Sequence, residues 1–242
     1  MNAGVKVIGL AEAESRYGLD WLLAQIRGAE IAEFGESHSR RLERLKGCID
    51  RFRHGFFFAF AGDQLVGQLD IWPVSEATFT AISSGDRFEE SLCAGDVVSG
   101  NFRKWPYWYM GSIVVAPSEQ GRNALRAPDA STFRLLVSAV ALFLSREISV
   151  YPFKMLAIVS TPAGARIANR WKLIAVNPTI SGDPDYVNLP KEDATLATEG
   201  SRSNSRVAGR RIFSDDRPRY VRSFGSPQEV SDLVYWEKRS GG

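Results

Sequence analysis

The sequence predicts an α/β (α+β) fold: a mixed, mostly antiparallel central sheet flanked by helices, with a polar C-terminal extension. Three observations carry that reading. Two helical patterns and a β-hairpin come first, strands and helices then alternate from Tyr107 to Val176, and from Asn177 onward the chain turns polar and rich in Gly, Ser, Pro and charge. Residues 1–190 are therefore read as one domain and 191–242 as an arginine-rich extension that ends in a short amphipathic helix.

The elements follow in order. Asp20 to Phe34, DWLLAQIRGAEIAEF, has apolar residues at helical spacing, with Asp20 as a candidate N-cap. A second helix places Leu42, Leu45, Ile49 and Phe52 on one stripe and its arginines and Lys46 on the other face, which reads as a solvated surface. Phe56 to Phe60 and Leu65 to Trp72 are strands around a turn at Ala61, Gly62, Asp63 and Gln64. Ser75 to Lys104 is too long for a simple connection and is expected to be a partly helical excursion that walls a binding site. A strand is predicted at Tyr107–Val115, a nearly all-apolar helix at Ala130–Glu147 and a buried strand at Lys154–Ser160. Thr161 and Pro162 then open a helix as N-cap and first residue, and Leu173–Val176 forms the next strand. Ser226, Pro227 and Glu229 have capping-box spacing for the last helix.

Composition narrows the function classes. Hydrophobic residues at 44% and charged residues at 24% argue against wholesale disorder, and a formal charge of +2 is too mild to imply nucleic-acid binding by the whole molecule. Cys48 and Cys93 are far apart and lack metal-ligand spacing, and His38 and His54 do not complete a site, so no metal or disulfide framework is expected. The N-terminus lacks the pattern of a secretory signal, and the most apolar window, Leu135–Leu144, is about half the length a bilayer requires. A cytoplasmic protein without a membrane role is the expectation.

The segment from Trp105 to Ala124, WPYWYMGSIVVAPSEQGRNA, is the most informative of the chain. An apolar strand runs into a turn with glycine and cationic residues that leads toward a long helix. This order presents free backbone N–H groups and a helix N-terminus to a phosphate.

With the hairpin FFFAFAGDQLVGQLDIWPV and the strand and loop IVVAPSEQGRNA on the page, residues 56–176 resemble the GNAT superfamily of N-acetyltransferases. The resemblance covers about half of the chain, and the N-terminal helical pair extends it. It implies that the fourth and fifth strands splay apart, so that backbone groups pair with the pantetheine arm of acetyl-CoA or another acyl-CoA while loop amides hold the pyrophosphate. Carried over by position, Ile113, Val114 and Val115 would face pantetheine, and Gln120, Gly121, Arg122, Asn123 and Ala124 would line the pyrophosphate, with Arg126 as a further phosphate ligand. Asn123 and Leu125 depart from the small residues of the family loop. Lys172 and Leu173 stand at the family's Gly-Phe turn, and Ala168 stands where many members carry a tyrosine that protonates the leaving thiolate.

Acyl transfer to an amine needs a base, a polarised carbonyl and a proton for the thiolate. Glu119 and Asp70 are the candidate bases, and Tyr109 and Ser160 the candidate acids, with Tyr107 a weaker choice. Backbone N–H groups near Val115 are candidates to polarise the carbonyl. Trp72, Trp105 and Trp108 read as packing. The acceptor is expected to be an amine of a small molecule or a protein. Two alternatives stand beside this reading: a catalytically weak CoA-binding sensor or interaction module, and a nucleic-acid or protein adaptor that uses Arg202, Arg206, Arg210, Arg211, Arg217, Arg219 and Arg222. The last helix covers its own domain or pairs two copies into a homodimer.

Overall fold

The computed structural model describes residues 4–34, 42–87, 89–115, 132–158, 168–169, 171–176, 206–207, 210–211 and 219–235. Its centre is a seven-stranded sheet. The strands are β1 (Val5–Gly9), β2 (Phe56–Ala61), β3 (Gln64–Pro73), β4 (Tyr107–Val115), β5 (Phe153–Ile158) and β6 (Ile174–Ala175), with β7 (Arg206–Val207) and β8 (Arg210–Arg211) as a separate pair and β9 (Arg219–Phe224) in the main sheet. The order is β1-β2-β3-β4-β5-β9-β6, and among the described residues only the β4–β5 pair is parallel. The helices are α1 (Leu10–Tyr17), α2 (Leu19–Phe34), α3 (Leu42–Arg51), α4 (Glu76–Ser84), α5 (Thr132–Glu147) and α6 (Pro227–Tyr235).

Strand alternation assigns the layers. On β3, Gly67 lies against Thr132 and Leu136 of α5, whereas Gln68 and Asp70 reach toward Ser112 and through it to Glu30 of α2. On β2, Phe57 meets Phe143 of α5, while Phe56 and Phe58 stack on the opposite side, beside Trp72. Helix α5 therefore covers one face and the N-terminal helices cover the other. The crossover from β4 through α5 to β5 is what makes that pair parallel.

The β2–β3 connection is tighter than expected, since strand pairing includes Ala61 and Gln64 and leaves only Gly62 and Asp63 in the turn. Gly62 adopts a φ of 62°, where the missing Cβ removes the steric cost. The Ser75–Lys104 excursion is partly helical as read. Ser75 caps α4 by accepting from the Thr78 N–H, and Val74, just before the excursion, forms an antiparallel bridge with Val97 within it. Its anchor is Asp96, which accepts from Thr78 Oγ1, from the Cys93 N–H and thiol, and from two nitrogens of Arg87 at 2.5 and 2.6 Å. Burial alone pushes the Asp96 carboxyl up, but these donors outweigh it and hold it below its ordinary 3.8.

Residues 219–224, within the arginine-rich extension, belong to the main sheet. They form β9, paired with β5 from Phe153↔Phe224 to Ile158↔Arg219. Arg219 is 2% exposed beneath Gly85, the residue that caps the C-terminus of α4. Arg222 donates to the Trp171 carbonyl at 2.6 Å and lies over the Phe224 ring. Ser226 Oγ accepts from Glu229 N, as a cap should, while Glu229 reaches Gly225 N. Val230 and Leu233 are buried, and α6 packs on α5.

Between β3 and β4 the register slips. Leu69 opposes Ile113 and Ile71 opposes Met110, so Asp70 alone faces both Gly111 and Ser112. This is a β-bulge, and it bends β4 and increases its twist. The β4–β5 pairing ends one residue earlier, at Met110↔Ala157. Past the segment after β5, Lys172 takes a φ of 52°, with Lys172 N bonded to Asn169 O and Leu173 N to Ala168 O. That is a Schellman-type helix end with lysine in the left-handed position.

Three substitutions follow. Asp96→Asn should lower stability by about 3 kcal/mol at neutral pH, because it leaves a partly buried guanidinium without its carboxylate. A depressed carboxyl contributes stability that is full above the unfolded pKa and lost as pH falls through the folded one, so this variant also loses part of its acid sensitivity in urea melts run down to about pH 2. Lys172→Gly should stabilise by about 0.5–1 kcal/mol by relieving the left-handed backbone. Gly111→Ala should cost about 2–3 kcal/mol, because a Cβ there would collide with the Asp70 carboxylate.

Candidate functional site

The bulge creates two features at one place. The first is an open backbone edge. From Gly111 to Val115, β4 pairs with β3 on one side and has no strand partner among the described residues on the β5 side. The second is a buried polar centre on the α2 face. Asp70, 0% exposed, accepts from Trp72 Nε1 at 2.5 Å and from Ser112 N at 3.2 Å. Ser112 Oγ stands 2.8 Å from Asp70 Oδ2 and 2.8 Å from Glu30 Oε1, and Gln68 Nε2 approaches it at 3.4 Å. A hydroxyl carries one proton, so Ser112 donates to one carboxylate at a time.

Sequence places each group there for a local reason. Asp70 and Gln68 alternate with apolar residues in a strand buried on both faces, and they share a face with Trp72. Glu30 lies one turn beyond Ile26, on the stripe that also buries Leu22 and Leu23. Gly111, Ser112 and Ile113 are half-buried, so this stretch of β4 is the centre's link to the open edge.

The other end of the edge meets a helix N-terminus. Val115 pairs with Gly67, and Gly67 packs on Thr132, the first residue of α5. Thr132 is 0% exposed, and its Oγ1 has no hydrogen-bond partner among the described residues. Strand edge, orphaned hydroxyl and helix dipole thus line up over about 14–17 Å.

The sequence-derived residues fall into three groups. Asp70, Ile113, Val114 and Val115 sit around the bulge and the open edge. Tyr109, buried on the same face as Trp72, donates its hydroxyl to Glu89 of the excursion, and Tyr107 does the same to Glu76 at 2.6 Å. The Glu76 hydrogen bond, followed by burial, raises the Tyr107 phenol above its ordinary value. Glu119, Gln120, Gly121, Arg122, Asn123, Ala124, Arg126 and Ser160 lie outside the described residues. Ala168 is described and buried. Glu30, Gln68 and Ser112 were missed as functional residues, although a glutamate inside an apolar helical stripe and polar residues inside a doubly buried strand were signals available in the sequence. Of the arginine set, Arg219 and Arg222 belong to β9, and the other five have no described side chain. Among the described residues no helix is long and apolar enough to cross a membrane, and no three potential metal ligands converge.

No protein-family model and no curated protein matches the chain. Solved structures do resemble it. One is N-acetylglutamate synthase from Neisseria gonorrhoeae, complexed with coenzyme A and N-acetyl-glutamate: 12% identity, TM-score 0.44, over 92% of this chain and 36% of that one. This chain therefore spans about a third of the length of that enzyme. The loading GNATL domain of CurA from Lyngbya majuscula aligns at 12% identity and TM-score 0.45, over 93% of this chain and 98% of that one. The GphF GNAT-like decarboxylase in complex with isobutyryl-CoA aligns at 13% identity and TM-score 0.46, over 90% and 98%. The chain's own architecture is a hairpin in a mixed, mostly antiparallel sheet whose parallel pair, β4–β5, ends at Met110↔Ala157, with a left-handed backbone at Lys172.

Proposed function

We propose that this protein transfers an acyl group from acetyl-CoA, or another acyl-CoA, to an amine. The observation that carries the reading is the open edge Gly111–Val115, with Asp70 and Ser112 at one end and the α5 N-terminus at the other. Pantetheine is peptide-like and pairs with a free strand edge as an added strand does. A pyrophosphate suits a helix N-terminus, and the orphaned Thr132 hydroxyl fits such an acceptor-rich group. The loop Gln120–Ala124 and Arg126 supply further N–H groups and charge in this reading.

The thioester supplies an activated carbonyl. The residues of the chain then do the following. Backbone N–H groups of β4 polarise the carbonyl oxygen. Asp70 takes the proton that the amine gives up, directly or through Ser112. The amine lone pair forms the C–N bond as the C–S bond breaks, and the sulfur leaves with the electron pair and takes up a proton. With Ala168 at the family's tyrosine position, that proton comes from elsewhere, and Tyr109 and Ser160 are the candidates. A cytoplasmic location belongs to the same proposal.

Ala168 also favours the second reading, a CoA-binding module without turnover. Calorimetric titration with acetyl-CoA and CoA, followed by thiol release over an amine panel, separates the two. Micromolar binding with thiol release, lowered about a hundredfold or more by Asp70→Asn with affinity for CoA kept, is the expected result. Binding without release selects the second reading. No heat and no thermal stabilisation at millimolar ligand removes both, because a ligand of the folded state must stabilise it.

A further inference from the structure

A base that takes a proton must also give it up before the next turnover. Asp70 is 0% exposed in a central strand, so it does not return a proton to water directly. An aliphatic amine is a cation in neutral water. On becoming an amide it loses two protons while the sulfur takes up one, so each turnover delivers one proton to solvent. The neighbourhood of Asp70 has the form of an outlet. Ser112 Oγ lies 2.8 Å from Asp70 Oδ2 and 2.8 Å from Glu30 Oε1, and Gln68 Nε2 approaches it at 3.4 Å. A hydroxyl oxygen has one proton and two lone pairs. The Gln68 amide takes one lone pair, which leaves one proton and one lone pair for two carboxyl groups. Both contacts are hydrogen bonds at once only when one of those carboxyl groups is itself a donor.

We propose that Glu30 is the proton outlet of Asp70, a positioning residue that acts through the Ser112 hydroxyl. The inference rests on the acyl-transfer reading. When Asp70 takes the amine proton, its O–H donates to Ser112 Oγ while the Ser112 O–H donates to Glu30, and the chain of three oxygens is complete. The proton then passes along it: the Asp70 proton moves to Ser112 Oγ as the Ser112 proton moves to Glu30. Two O–H bonds break and two form, no further reactant is consumed, and Asp70 is an ionised base again. The direction of transfer is outward. Asp70 lies in the sheet, whereas Glu30 belongs to α2, whose Gly28 and Ala32 are exposed on the side turned away from it. The relay also gives a reason for a glutamate on the stripe that buries Leu22, Leu23 and Ile26, since only that side of α2 reaches β4.

The test uses the full chain with acetyl-CoA and the aliphatic amine of the panel that releases thiol fastest. Stopped flow follows thiol with a thiol reagent and the proton with a pH indicator, in the first turnover and in the steady state. In the wild type, thiol and proton should appear together. In Glu30→Gln the steady-state rate should fall about tenfold or more, with a smaller loss in the first turnover, and the proton should reach the solvent after the thiol. Should Glu30→Gln fail to fold, Ser112→Ala decides in the same way, because it breaks the chain at its middle and keeps the Ser112 N–H for Asp70. Thiol and proton in step in the variant, with first and later turnovers equally affected or not affected at all, overturn the relay and leave the acyl-transfer reading standing. A wild-type protein that releases no thiol with any amine overturns that reading and the relay with it.

Discussion

The two-against-one mismatch at Asp70 is the constraint on which the rest of the structure depends. A regular antiparallel pair has no place for both Gly111 and Ser112 opposite a single residue. The bulge is held by Asp70, whose carboxylate accepts from the Ser112 N–H and hydroxyl and so does for β4 what a ladder bond does elsewhere. Gly111 makes room for that carboxylate, since any Cβ would occupy its position. Bent by the bulge, β4 leaves β5 at the next pair, and the free edge begins there. Site and architecture thus share one origin in this reading: the residue that fixes the bend is also the residue proposed as the base.

Such a centre is a poor investment in stability. Buried carboxylates cost more in lost hydration than neutral packing would, and partly satisfied polar networks rigidify less than complete ones. The surrounding core compensates with large apolar groups, since Phe56, Phe58, Trp72, Trp108 and Tyr109 are all essentially inaccessible to solvent. A glutamate on the apolar stripe of α2, and a glutamine and an aspartate inside β3, break the local rule that core positions are apolar. Violations of that kind gather where a fold does chemistry.

Much of this was legible in the sequence. The bounds of β4 were read correctly because aromatic and β-branched residues stand on both sides of Met110, Gly111 and Ser112 out to Val115, and Asp70 stood out as a carboxylate within an apolar strand. The hairpin followed from Gly62 and Asp63, and the excursion from its length. Glu30 breaks the apolar stripe of α2, but its partner, the Ser112 hydroxyl of β4, lies across the core and no local pattern of α2 records it. The bulge was invisible for a related reason. It is a property of the register between two strands more than thirty residues apart, and neither strand records it alone.

Strand β9 was hidden by composition. Its sequence, RYVRSF, carries two arginines in six residues, and both are accommodated by contacts that no local pattern announces: Arg219 under Gly85, Arg222 on the Trp171 carbonyl and the Phe224 ring. Its insertion matters for the site. β5 is paired with β9 along its whole length, from Phe153 to Ile158, while β4 is paired with β5 only from Tyr107 to Met110. β5 is therefore clamped from behind, and the gap in front of it arises because β4 bends away. The C-terminal strand pairs with β5 along its length while the bulge at Asp70 bends β4, so a segment that reads as a polar appendage belongs to the β5 side of the edge on which acyl-CoA binding is proposed.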